Sequence, residues 1–575
     1  MKWAQADNRS IYLVQPRFPP TTWGMEYLLQ MTPYHAVFPP LGLLTLAALT
    51  PKDFQVSICD ENAGEKIDYD TPAQLVGITG YLLQKADVLA HAAEFRKRGK
   101  TVILGGPLAN LLPEVCRPHC DVLFEGEAEY TWPRFLREFA GGRWADHYTE
   151  TEKIHLPDSP PPRVDLVRQR YAHGIVQCTR GCPFSCEFCD IIVMFGRKMR
   201  FKPIDQVLQE VEAWRRYGVS VVFFADDNFV GHRAYAKELL QALARWNKRQ
   251  QRPLIFYTQA SIDMVRDEEL LRLLRDANFN EVFIGIESPR KSSLVEMHKT
   301  QNEKLDLVEA IHTIQSHNLF VMAGMIVGFD HDDRAIFDEQ YAFCQQAQIP
   351  IVMNGTLIAL PKTPLAQRLQ AEGRLLHADW AEDDFFHIVK PWATNFRPLR
   401  MTMEELTEGQ KLLIRKLYEP EAFRARLFGN LSRFHRGSRR PEFIKRDDVA
   451  YSFRLANFFW RQQRDIRSFF SRALWSILWQ APWRVVTMGT LLGKYSHILQ
   501  LNGLVPRFVD GEKRGPTTTL TTAIPRGPQQ RRRSTLLRLS RREYEARQVR
   551  SKDFSQSDTG PASASRGSLT VRRPA

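Results

Sequence analysis

Between residues 174 and 358 the chain alternates short apolar runs with helical ones, and this alternation narrows the available folds more than any other feature. Runs at 174–177, 219–224, 254–257, 282–286, 319–327 and 351–358 have strand length and strand composition. Between them, apolar residues recur at helical spacing. Ile204, Val207, Leu208, Val211 and Trp214 form one set, Leu239, Leu240, Leu243 and Trp246 the next. Leu270, Leu271, Leu273 and Leu274 form a third, Leu307, Val308, Ile311 and Ile314 a fourth, and 337–343 a last. Six βα units in succession curl into a partial barrel, with the site at the carboxyl ends of the strands. A proline-rich stretch at 157–162 precedes them, so a linker at 151–165 and a barrel domain at 166–400 are expected.

Directly after the first of these strands comes Cys178-Thr-Arg-Gly-Cys182-Pro-Phe-Ser-Cys186-Glu-Phe-Cys189-Asp190. Cys182, Cys186 and Cys189 have C-x3-C-x2-C spacing, which suits a tight loop around a cubane iron–sulfur cluster. Such a cluster has one iron more than these thiols can hold. A metal with an open position is a site for chemistry rather than electron storage. A zinc knuckle is one alternative, and a ferredoxin-like cluster with Cys178 as a further ligand is another. Zinc usually takes paired spacings, and Cys178 ends an apolar strand, so it should precede the loop rather than join it. Eight cysteines in 575 residues make a disulfide framework a poor reading.

The first 150 residues read as another α/β domain. Strands are expected at 11–16, 55–60, 75–80, 101–106 and 121–126, with helices at 41–49 and up to about 98. Glycine-ended strands alternating with helices argue for a doubly wound parallel sheet whose ligand lies at the carboxyl ends. Those ends are Thr79-Gly80, Gly105-Gly106-Pro107 and Glu125-Gly126-Glu127. There is no G-x-G-x-x-G, so a dinucleotide is not favoured. A purely structural or substrate-binding domain is the plainer reading. Cys59, Cys116 and Cys120 invite comparison with a second cluster, but ordinary half-buried cysteines are the expectation, and His35, His91 and His119 are expected to be solvent-facing or packed.

Residues 401–508 read as a helical domain rich in Phe, Trp and Arg. Trp475, Trp479 and Trp483 repeat at i, i+4, i+8. A core-facing stripe is the expected meaning, and a peripheral membrane contact is the sharper one. Residues 509–575 read as a disordered basic tail. The chain carries +14 overall; residues 511–575, with 15 Lys and Arg against 5 Asp and Glu, supply +10 of it. The basicity therefore gives no clear sign of nucleic-acid binding by the folded body. No apolar run approaches the ~18 residues that span a bilayer. A cytoplasmic protein is expected, with contact to the inner membrane as the variant that the tryptophans suggest.

The cysteine loop resembles that of radical S-adenosylmethionine (radical SAM) enzymes. In that family the open iron is chelated by the methionine part of SAM, and reduction splits SAM into methionine and a 5′-deoxyadenosyl radical. The resemblance assigns Cys182, Cys186 and Cys189 to a 4Fe–4S cluster and to catalysis. It assigns SAM binding to Asp226, Asp227 and Asn228, which end the second barrel strand, and to Glu287, which ends Phe283-Ile-Gly-Ile-Glu287. The plainer readings are that the aspartates cap a helix and that Glu287 pairs with a nearby arginine. Gly324-Met-Ile-Val-Gly-Phe-Asp330 is similar to the family's fifth-strand segment.

The first region, with Pro39-Pro-Leu-Gly-Leu-Leu44, Gly105-Gly-Pro107 and Glu125-Gly-Glu-Ala-Glu129, is similar to the cobalamin-binding domain of the class B subfamily. This assigns Thr79, Gly105, Gly106, Pro107, Glu125 and Gly126 to cobalamin. The D-x-H-x-x-G motif is absent, so no histidine is expected on the lower face of the corrin. Cys186-Glu-Phe-Cys-Asp-Ile-Ile, Met194-Phe-Gly-Arg-Lys198, Ala225-Asp-Asp-Asn-Phe229 and Asn395-Phe-Arg-Pro398 resemble the branch with the hopanoid C-2 methylase and bacteriochlorophyllide ring methylases. Pro361-Lys-Thr-Pro364 departs from the branch's usual P-G-T-P.

The resemblance implies an α/β protein: an N-terminal Rossmann-like cobalamin-binding domain at 1–150, a partial (βα)6 radical SAM barrel, and helices after it. It implies methyl transfer from SAM, via methylcobalamin, to an unactivated carbon of a small or lipid-like substrate, with an electron donor such as flavodoxin or ferredoxin. A non-methylating cobalamin radical enzyme, a methylthiotransferase and a cluster-bearing electron carrier are the alternatives.

Overall fold

The computed structural model describes residues 9–376, 393–434, 446–480 and 485–507. The expected disordered tail and Trp483 lie outside these residues. Fourteen strands form three sheets among the described residues. The first sheet is β1 (Ser10–Gln15), β2 (Gln55–Asp60), β3 (Leu75–Thr79), β4 (Thr101–Gly105), β5 (Val122–Glu125) and β6 (His147–Thr149). Its order is β2-β1-β3-β4-β5-β6, parallel throughout. The reversal of strand order beside β1 makes it doubly wound, as the sequence pattern requires. β6 is unexpected: its three residues His-Tyr-Thr are too short to register as an apolar run, and Tyr148 is fixed by stacking on Phe124 of β5.

The barrel sheet follows as β7 (Gly174–Val176), then, beyond a small antiparallel pair β8 (Thr179–Arg180) and β9 (Arg200–Phe201), β10 (Val221–Phe224), β11 (Ile255–Gln259), β12 (Phe279–Glu287), β13 (Phe320–Val327) and β14 (Ile351–Thr356). The order β7-β10-β11-β12-β13-β14 is sequential and parallel, an open six-stranded barrel. Crossover helices start and stop where local chemistry dictates. Asp267 and Asp306 cap the helices Glu268–Asp276 and Leu307–Ser316. The helix Ile204–Tyr217 ends at Gly218 in the left-handed region.

The barrel interior is closed from its amino-terminal mouth by a segment ahead of it in sequence. Trp23 packs on Phe223 and Phe283, and Phe38 on Phe223. Tyr257 stacks on Phe223, and its hydroxyl lies 2.8 Å from His173 Nδ1. The expected helical region is present as Met403–Leu417, Pro420–Ser432, Arg446–Trp460, Arg464–Gln480 and Val485–Leu501. The last is tied to the barrel by Lys494, whose Nζ lies 2.5 and 2.8 Å from the Glu281 carboxylate oxygens, and to the N-terminal segment by His497, which accepts from the Tyr27 N–H.

The tryptophan stripe is corrected. In helix Arg464–Gln480 the buried residues are Ile466, Phe469, Phe470, Ala473 and Ile477, at i, i+3, i+4, i+7 and i+11. Trp475 and Trp479 point away from that face into solvent, stacked on each other with ring centroids 6.5 Å apart. A second apolar set on the same helix had already taken the core side.

Candidate functional site

The cysteine loop leaves the carboxyl end of β7 and returns through β9. Gly181, at φ +94, allows the loop to fold back on itself. A Cβ there would meet the Lys198 carbonyl oxygen at 2.8 Å, so a side chain is excluded. Cys182 N–H donates to the Gly196 carbonyl and Gly181 N–H to Asp227 Oδ2 at 2.7 Å. On the other side, Glu187 N–H donates to the Met297 carbonyl, and the Glu187 carboxylate is held by Arg368 at 2.6 Å. Arg368 also reaches Asp330 at 2.7 Å, which joins the loop to the segment after β13.

Cys182, Cys186 and Cys189 are all free thiols; Cys186 raises Cys182, and both of them raise Cys189. Burial pushes Cys189 up to about 12, with its neighbouring thiols adding to the effect. Side-chain amides approach two of the sulfurs: Asn228 Nδ2 lies 4.0 Å from Cys182 Sγ and Gln301 Nε2 3.8 Å from Cys186 Sγ. Among the described residues no three His, Cys, Asp or Glu converge closely enough for a single metal ion. Three free thiols on one half-buried loop, with amide donors toward two of the sulfurs, fit the cluster. Cys178 stays apart, fully buried with Sγ 3.1 Å from Asp226 Oδ1.

The three polar residues after β10 do different things. Asp226 is turned into the fold, where it accepts from the Cys178 and Thr179 N–H groups. From this buried position it braces the start of the loop. Asp227 grips the loop at Gly181, and burial pushes its carboxyl up to about 7. Asn228 bridges Cys182 and Ser261. Glu287 ends β12 at φ +64, a conformation costly for a non-glycine residue. Its carboxylate pairs with Lys299 Nζ at 2.5 Å, a lysine where the plainer reading of Glu287 named an arginine. Lys299 also lies over the Phe188 ring and feels the Cys186 thiol.

Opposite the loop, the predicted residues of the first domain converge at three adjacent strand ends. Thr79 ends β3, Gly105 ends β4, Gly106-Pro107 open the helix Pro107–Leu111, and Glu125-Gly126 end β5. Gly106, at φ +83, lies so close to Thr79 that a Cβ would come within 2.2 Å of its Oγ1. The turn is a bare-backbone cradle. Asn110 ties two of these turns together by accepting from the Gly126 N–H at 2.7 Å, and Glu125 is held by His147 at 2.7 Å. Tyr81, just beyond β3, is half exposed, yet Asp190 and Asp227 both act on its phenol. Its phenol thus comes under the charges of the cysteine loop and of the chain after β10.

The two half-sites are locked together. Arg180, inside the loop, donates to Glu127 and Glu129 at 2.7 Å each, and Arg200 to Glu127 at 2.7 Å. Both glutamates are buried. Helix Ile191–Met194 and the chain after β14 complete the contact, with Val193, Ile358 and Leu360 against the first domain's core.

The segment 176–343 matches the family model of the radical SAM superfamily, and 363–506 matches a domain of unknown function, DUF4070. An uncharacterised methyltransferase of Synechocystis sp. is 34% identical over 87% of this chain and 94% of its own. The hopanoid C-2 methylase of Rhodopseudomonas palustris is 31% identical over 81% of this chain and 88% of its own. The chain belongs to the radical SAM methylases. The 4Fe–4S cluster and SAM are inherent to that family. Among solved structures, TsrM of Kitasatospora setae, with cobalamin and a 4Fe–4S cluster bound, shares the fold with a TM-score of 0.56 at 15% identity, covering 86% of this chain and 99% of that one. OxsB with aqua-cobalamin bound gives 0.56 at 14% identity, covering 88% and 82%.

Around the cysteine loop the structure also places residues that sequence reading did not single out: Lys299, Gln301, Arg180, Arg200 and Tyr81. Lys299 precedes and Gln301 lies within the single helical turn Thr300–Glu303, which is too short for periodicity to mark. Cys59 and Cys116 are buried, and burial pushes both thiols up to about 12. A cavity of about 1070 Å³ opens at the other mouth of the barrel, between Trp23, Leu254 and Lys494, and contains none of the predicted site residues.

Proposed function

We propose that the protein C-methylates an unactivated carbon of an apolar, small or lipid-like substrate, using cobalamin held in the cradle of the first domain. One observation carries this reading: the Arg180 and Arg200 pairs with Glu127 and Glu129 hold the three-cysteine loop against the Thr79, Gly106 and Gly126 turns, so a cluster and a corrin would share one cleft. When bound, these cofactors supply reductive cleavage of SAM to a radical and a methyl group passed through methylcobalamin.

The chain's own residues supply positions. Cys182, Cys186 and Cys189 would hold the cluster. Asp227 and Asn228, beside Cys182, offer acceptors for the SAM ammonium, and Glu287 closes the far side with Lys299. Thr79, Gly105, Gly106, Pro107, Glu125 and Gly126 would cradle the corrin, and Tyr81 faces both halves. Val193, Ile358 and Leu360 seal the domain junction against water, which a radical intermediate requires. The cofactor would be reduced by a donor such as flavodoxin or ferredoxin. The relatives named for hopanoid and bacteriochlorophyllide methylation support an apolar polycyclic substrate.

The test is anaerobic reconstitution with iron, sulfide and cobalamin, followed by measurement of bound cobalamin and of reductant-dependent 5′-deoxyadenosine. Both signals are expected, the second disappearing in Cys186→Ala. Deoxyadenosine without cobalamin would refute the proposed pocket. A product lacking an added CH2 would replace methylation by oxidation or ring closure.

A further inference from the structure

The outward face of helix Arg464–Gln480 has no part in the site described above. Trp475 and Trp479 are 69% and 79% exposed, and Leu478 lies between them on the same side. The preceding helix, Arg446–Trp460, adds Phe453 and Trp460, exposed to similar degree. The inward face of the pair is fully used by packed residues, so these side chains are surplus to the fold. From 449 to 480 the chain holds five arginines and a single carboxylate, Asp465. Arg461, Arg464 and Arg467 are exposed beside the aromatic residues.

We propose that this face docks on an anionic lipid surface. Tryptophan has an apolar body and a polar N–H and favours the boundary between acyl chains and headgroups. Arginines on the same helices would meet lipid phosphates. No helix among the described residues is long and apolar enough to cross a membrane, so the helix would lie along the surface. A second copy of the chain is the poorer occupant. A two-fold contact would bring the same arginines against one another, and interface cores are depleted of charge. The chain beyond 510 adds a further +10, which favours the same anionic partner.

Docking also has a direction. Helix Val485–Leu501, which packs against Arg464–Gln480, is anchored to Glu281 near the amino-terminal end of β12. The docking face thus belongs to the end of the barrel away from the cysteine loop, and a docked enzyme keeps its cofactor cleft clear of the membrane. The inference stands whether or not methyl transfer is the reaction.

The full-length protein is floated with phosphatidylcholine vesicles, with or without phosphatidylglycerol. Flotation is expected only with phosphatidylglycerol, weakening as salt rises. Trp475→Ala/Trp479→Ala should reduce vesicle partitioning about tenfold or more. Arg464→Glu/Arg467→Glu should lose it on anionic vesicles, and both variants should keep the parent's melting temperature because the changed side chains are exposed. Flotation on neither vesicle would overturn the proposal. So would flotation unchanged in both variants, which would move binding to the tail, or dimerisation of the lipid-free protein that the tryptophan variant abolishes.

Discussion

Replacing Lys299 by Met tests whether the Glu287–Lys299 pair is the keystone beneath the cluster loop. The two side chains are 8% and 9% exposed, with Nζ 2.5 Å from Oε1. At an effective dielectric of about 20 the attraction is 332/(20 × 2.5), or about 7 kcal/mol. Desolvation of both ions cancels most of that, so the intact pair adds little net stability. The asymmetry matters: Lys299→Met leaves a carboxylate buried without a cation, at a cost of ~3–5 kcal/mol, whereas Lys299→Met/Glu287→Gln removes both charges and costs far less. Met keeps most of the lysine stem but not Nζ, so the contact of Nζ over the Phe188 ring is lost in both variants and cancels in the comparison. For a domain of about 200 residues, ~3–5 kcal/mol corresponds to roughly 10 °C in melting temperature. The assay is thermal unfolding of the cluster-free protein, comparing parent, single and double variants, with iron content after reconstitution as the second readout. The single variant should melt well below the other two and assemble less cluster. Equal melting of single and double variants would show that the pair is not coupled and refute the argument.

Cys178→Ser should retain the parent's iron and sulfide content, because Cys178 faces Asp226 rather than the loop interior, whereas Cys182→Ser, Cys186→Ser or Cys189→Ser should each lower it; chemical iron quantification decides. Gly106→Ala should reduce cobalamin retained on reconstitution while leaving deoxyadenosine formation intact, since its Cβ would strike Thr79 Oγ1 at a φ that only glycine tolerates; absorbance of bound corrin reads this out. Burial raises Asp332 from 3.8 to about 6, so the native state holds that proton more tightly than the unfolded chain. Its stabilising contribution is complete below pH 3.8 and is lost as pH rises through about 6, a change of about (6 − 3.8) × 1.36, or 3 kcal/mol. Asp332→Asn should flatten that part of the stability profile relative to the parent in parallel denaturant titrations across that range.

The sequence exposed whatever repeats or is chemically distinctive. Both parallel sheets were legible because a strand buried on both faces writes a continuous apolar run, and the cysteine loop because soft ligands at short spacing have few other uses. The six residues expected to cradle a corrin converge because strand-end glycines follow from the same pattern. Long-range pairings left no trace. Nothing local in Arg180 or Glu127 announces a partner some fifty residues away, and a lysine in the turn before Thr300 gives no sign that it will neutralise a glutamate at the end of β12. The tryptophan stripe misled for a related reason: periodicity shows that a face exists, and here the helix carries two apolar faces of which the core takes one.

Lys362 joins these two kinds of information. The sequence marks it as a departure from a glycine in related chains, and the structure shows the reason glycine suits the position: its φ is +63, which costs a side-chain-bearing residue ~1–2 kcal/mol. The side chain offsets part of that cost. Its Nζ donates at 2.7 Å to the Asn110 carbonyl, at the end of the helix that opens with Gly106-Pro107. Asn110 in turn holds Gly126. The strained lysine thus reaches from the last barrel strand to two turns of the proposed corrin cradle, a connection a glycine could not make. Lys362→Gly relieves the strain and cuts the tie, two effects of similar size and opposite sign. Overall stability should therefore change by less than about 1 kcal/mol, while the amount of cobalamin retained should fall. A variant that kept its cobalamin but melted well above the parent would show the strain to be real and the tie to be idle.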